Sequence, residues 1–95
     1  MVKHYVVNGK DRYTIRFELQ AGGYYKLFAD SHPTDPHGDG VSANHLYSTG
    51  EICVSTGNEP RTLDRARAIA MHWCEGWSTY CRTGKFPTGG RRVSV

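Results

Sequence analysis

The chain has 95 residues, 38% of them hydrophobic and 22% charged, with 11 glycines and a net charge of +3. That length and balance predict one domain with a modest core, and exclude a disordered, fibrous or membrane-spanning chain, since no apolar run exceeds a few residues. The mild basicity permits a nucleic-acid partner without arguing for one.

In chain order, Lys3 to Val7 reads as a first strand and Asn8-Gly9 as a tight hairpin turn, because both residue types tolerate left-handed backbone. Tyr13, Ile15, Phe17 and Leu19 then alternate with Thr14, Arg16, Glu18 and Gln20, which predicts a second strand with one buried face and one wet face. Ala21-Gly22-Gly23 turns the chain into a third strand, Tyr24 to Ala29, with Tyr25, Leu27 and Ala29 on one side. From Asp30 to Asn44 the pattern stops in a long polar loop carrying Pro33, Pro36, Gly38 and Gly40. A short strand or extended turn is expected at Glu51 to Ser55.

Thr62 is a good helix N-cap, and Asp64 suits the positive end of the helix that follows. Ala66, Ile69, Ala70, Trp73, Trp77, Tyr80 and Cys81 form one apolar stripe, with Asp64, Arg67, Glu75, Ser78 and Arg82 opposite. Gly84 ends the helix and Pro87 keeps it from resuming. Thr88 to Val95 is expected to be a flexible tail, leaving 1–87 as the single domain. The fold class expected is α+β, an antiparallel meander of three to four strands packed on one main C-terminal helix, centred on Trp73 and Trp77.

The odd number of cysteines makes no disulfide framework, and Cys74 and Cys81 lie about 10.5 Å apart along a helix, too far to bridge. Reduced thiols and, with no basic-then-apolar leader after Met1, a cytoplasmic location are the expectations. Cys53 has two readings. It is a thiol beside a Gly-containing turn, reachable by another molecule and suited to carrying an acyl group, or a small apolar residue of a strand Ile52-Cys53-Val54.

His32, His37, His45, Asp30, Asp35, Asp39 and Cys53 offer metal-ligating atoms, but no pair has the spacing of a zinc motif, so solvated loop residues are preferred and no metal or other cofactor is expected. Ser31-His32-Pro33 is similar to part of the JAB-type isopeptidase pattern, but Asp30 stands where the first histidine belongs and the downstream ligands are missing. Gly89-Gly90 before a short basic end fits a mobile tail better than a processed modifier.

His45-Leu46-Tyr47-Ser48-Thr49-Gly50-Glu51-Ile52-Cys53-Val54, the helix with its tryptophans and Thr83-Gly84-Lys85-Phe86-Pro87 together resemble the bacterial branch of the ubiquitin-conjugating (E2) fold family. The resemblance covers the second half of the chain and, in general shape, the meander. It implies a minimal E2-like (UBC-like) domain in which Cys53 forms a thioester with a ubiquitin-like modifier and His45 shapes the turn. Leu46-Tyr47 replaces the Pro-Asn of the eukaryotic motif, so Tyr47 or backbone amides would serve the oxyanion. The partners implied are an activating enzyme and a ubiquitin-like protein. The alternative is a non-catalytic E2-like scaffold that binds a protein partner, because a fold alone does not fix an activity. Nucleic acid is the weaker partner class and no membrane is expected.

Overall fold

A computed structural model of the chain describes residues 1–38, 45–54 and 57–87. Strand β1 (Val2–Val7), strand β2 (Asp11–Leu19) and strand β3 (Tyr25–Ser31) form an antiparallel sheet in the order β1-β2-β3, and helix α1 (Leu63–Thr83) packs on one face of it. This is the expected α+β arrangement. Expectations for Thr88 to Val95, for Asp39 to Asn44 and for Ser55 lie outside the described residues. Among the described residues no helix is long and apolar enough to cross a membrane.

Local chemistry sets the turns. Asn8 and Gly9 take φ values of 57° and 73°, the left-handed pair that joins β1 to β2. Tyr5 faces Tyr13, Ile15 faces Ala29 and Phe17 faces Leu27, so one face of the sheet is apolar. Asp30 is an extra residue in β3, because Ile15 pairs with Ala29 while Thr14 pairs with Ser31. Its carboxylate meets Arg16 at 2.9 Å on the solvent face, where the guanidinium also reaches Glu18 and covers the Phe28 ring.

Helix α1 starts where Thr62 accepts the Arg65 N–H at 3.1 Å and ends at Gly84, whose φ of 83° sends its own N–H back to the Tyr80 carbonyl at 2.8 Å. Trp73, at 0% exposure, is the centre of the core, edge-on to Tyr13 and tilted against Trp77. Three placements differ from the sequence pattern. Leu19 is exposed, because it is the last residue of its strand and pairs with a half-buried Tyr25 beyond the covered part of the sheet. Cys74 is buried although it lies off the predicted stripe.

Ser78, expected on the wet side, is also buried, and its hydroxyl meets the Tyr13 hydroxyl at 2.6 Å. The apolar face is wider than a single stripe because the helix is covered by the sheet and by loop 32–38. In that loop the Pro33 carbonyl accepts the Trp77 indole N–H at 2.9 Å. The Asp35 carboxylate accepts the His37 amide at 2.8 Å, the Gly38 amide at 3.1 Å and the Tyr80 hydroxyl at 3.2 Å. Burial alone would push Asp35 upward, but these donors outweigh it and the carboxyl titrates below its ordinary value. His37 Nε2 lies 3.0 Å from the Tyr80 carbonyl, the same oxygen that accepts the Gly84 N–H, so the imidazole sits at the negative end of the helix.

Candidate active site around Cys53

Residues 45–54 form a small hairpin. The Gly50 amide bonds to the Tyr47 carbonyl and the Tyr47 amide to the Glu51 carbonyl, each at 2.9 Å. Gly50 closes the turn at a φ of 95°, which a side chain would strain. Leu46 bridges Ile52, and the Cys53 N–H donates to the His45 carbonyl at 2.8 Å. Of the short strand or extended turn expected at Glu51 to Ser55, Glu51 to Cys53 form one arm of this hairpin and dock on β3 by isolated contacts: Glu51 bridges Phe28, and the Ile52 amide bonds to the Leu27 carbonyl at 2.8 Å.

Alternation along the hairpin sends Ile52 and Leu46 toward the core, where Ile52 is fully buried and Leu46 packs against it. Tyr47, Glu51 and Cys53 share the other side, while the left-handed backbone of His45 turns its ring back onto Phe86. The three predicted site residues are thus brought together by one local element. Interaction with Cys53 is the first cause that holds the exposed Tyr47 phenol above its usual pKa, ahead of burial and the Glu51 charge. Cys53 is half-buried, neither sealed in the core nor fully open.

The two helix thiols titrate above their ordinary value. Burial, and then the Glu75 charge, pushes Cys74 far up; burial, and then Asp35 and Asp11, raises Cys81, whose thiol points to the Thr34 carbonyl at 3.8 Å.

His45 has a φ of 60°, a strained value for a residue with a side chain, costing on the order of 1 kcal/mol. Its ring stands edge-on to Phe86, with centroids 4.8 Å apart. Burial, and then the charge of His72 on α1, lowers the His45 pKa below its ordinary 6.5. The unfolded chain therefore takes up this proton first. The stability that His45 contributes is fully present above pH 6.5 and is lost as pH falls through the folded value. We expect urea midpoints to drop between about pH 7.5 and 5 by less in His45→Asn than in the wild type, since asparagine tolerates the left-handed backbone but has no ring to protonate. Equal drops in both proteins would refute this assignment.

Tyr24, Tyr25, Lys26, Tyr47, Glu51 and Glu59 surround a cleft of about 140 Å³ beside the hairpin, where β3 is left uncovered between the Ile52 amide at Leu27 and the Pro60 carbonyl, which holds the Tyr25 amide at 2.8 Å. Asp39 lies outside the described residues, and the others weighed as metal ligands are engaged elsewhere: Asp30 pairs with Arg16, His32 packs on Trp77, His37 meets the end of α1 and His45 packs on Phe86. Among the described residues no group of three such side chains is placed to hold an ion.

Sequence reasoning missed Gly76 and gave Phe86 no role beyond its place in the Thr83 to Pro87 motif. Gly76 is buried in the middle of α1, and a glycine inside a helical pattern signals the close approach of another group. No family model, no curated protein and no solved structure matches the chain.

Proposed function

We propose that this protein is an E2-like acyl carrier, in which Cys53 takes a ubiquitin-like modifier from an activating enzyme and hands it to an amine. The single observation that carries this reading is the gathering of Cys53, Tyr47 and His45 on one hairpin, with the Cys53 thiol half-buried. In the loading step the Cys53 sulfur attacks the carbonyl of the thioester on the activating enzyme. A new C–S bond forms, the old one breaks, and the departing thiolate takes up a proton. In the transfer step a neutral amine attacks the same carbonyl, the C–N bond forms, and Cys53 leaves as thiolate while the amine sheds its proton. Tyr47 donates to the oxyanion in both steps, and His45 fixes the turn through its carbonyl. Such an exchange of thioesters belongs in the reducing cytoplasm, and all three cysteines stand as free thiols.

Incubation with an activating enzyme and its modifier is expected to give a thiol-sensitive adduct that Cys53→Ala abolishes and Cys74→Ala retains. An adduct that persists in Cys53→Ala would sink the reading. One observation favours a scaffold instead: the Cys53 amide is part of the hairpin ladder, as expected of a structural strand residue. Under that second reading Cys53→Ser keeps both the fold and the binding of the protein partner, and no adduct forms.

A further inference from the structure

The hairpin that carries Cys53 is fixed from behind by residues distant in sequence. An ideal Cβ on Gly76 would lie 2.2 Å from Phe86 Cζ and 2.5 Å from Cε1, so the tip of the Phe86 ring occupies the space a side chain there would need. Phe86 reaches this seat because Gly84 reverses the chain, a turn that the Thr83 hydroxyl supports by accepting the Lys85 amide at 3.2 Å. Phe86 is 6% exposed, and its ring meets the His45 ring at an interplanar angle of 71°. His45 in turn holds the Cys53 amide through its carbonyl. A continuous path of contacts therefore runs from the middle of α1 to the thiol-bearing residue.

We propose that Phe86 is a positioning residue for Cys53: seated on Gly76, it fixes His45 in its left-handed conformation and thereby sets where Cys53 lies in the hairpin. The left-handed His45 backbone needs such support, since a residue with a side chain keeps that conformation only where its surroundings impose it. The consequence for modifier transfer rests on the reading of Cys53 as the acyl carrier; the mechanical link is measured separately.

The test uses the full chain with Phe86→Ala and Phe86→Leu. Two quantities are followed, amide hydrogen exchange at Cys53 and site-resolved alkylation of Cys53, Cys74 and Cys81 by iodoacetamide. In Phe86→Ala the Cys53 amide is expected to exchange at least about ten-fold faster and its thiol to alkylate several-fold faster. Cys74 stays protected, and Cys81 keeps its wild-type rate. Leucine refills the seat without the aromatic edge, so its effects are intermediate, and it decides the question if the alanine variant does not fold. Wild-type exchange at Cys53 in either folded variant overturns the proposal. Accelerated exchange in a protein whose wild-type Cys53 never forms an adduct upholds the link and removes the transfer reading instead.

Discussion

Gly76→Ala is expected to destabilise the fold by about 2–3 kcal/mol, although the same change on an open helix surface would stabilise it by about 1 kcal/mol. The reversal follows from one distance. The added methyl would meet the Phe86 ring at 2.2 Å, and Phe86 is buried, so the ring must leave its seat or the helix must shift. Expelling the ring exposes apolar area that contributes on the order of 25 cal/mol per Å² when buried. It also removes the support behind His45. A double-mutant cycle separates the two effects. In a Phe86→Ala background the clash partner is gone, so adding Gly76→Ala should be neutral or slightly stabilising, with a coupling energy above about 2 kcal/mol. Urea unfolding of the four proteins measures it, and additive losses would show that Gly76 and Phe86 do not share a seat.

The features legible in the sequence were those fixed by near neighbours. The alternation of Tyr13, Ile15 and Phe17, the Asn8-Gly9 turn, the Thr62 cap and the Gly84 stop each depend on residues a few positions apart, and each stands as expected. His45, Tyr47 and Cys53 were singled out through the resemblance; the tight hairpin that contains all three also depends only on near neighbours. What escaped depends on distant partners. Ser78 looks like a surface residue until Tyr13, 65 positions away, supplies a hydroxyl that lets it be buried. Asp35 and His37 look like solvated loop residues until the end of α1 presents the Tyr80 hydroxyl and carbonyl to them. The degree of burial of Cys53, on which its two readings turn, is set by how the hairpin docks on β3, and no local pattern encodes that.

Trp77→Ala is expected to cost about 3–5 kcal/mol, a large part of the 5–15 kcal/mol that holds a domain together. The side chain is 1% exposed and contacts Trp73 at 5.0 Å, Tyr80 at 5.5 Å and His32 at 4.8 Å between ring centroids. Its N–H also tethers loop 32–38 through the Pro33 carbonyl. Trp77→Phe keeps much of the ring area and loses the N–H. Because His32 Nδ1 lies 2.8 Å from the same carbonyl, that oxygen retains a partner, and the loss should be nearer 1–2 kcal/mol. The amides of His37 and Gly38, both held by Asp35, should then exchange faster in the alanine variant than in the phenylalanine one, as the loop comes away from the helix. Trp77 follows Gly76 in α1, and consecutive helix residues point about 100° apart, so these neighbours serve different parts of the molecule. Trp77 holds the loop before the hairpin, and Gly76 receives the aromatic that supports the hairpin itself. Faster exchange at His37 and Gly38 with an unchanged Cys53 amide in Trp77→Phe would show that the two attachments act independently. Parallel changes at both places would show one cooperative unit around the helix.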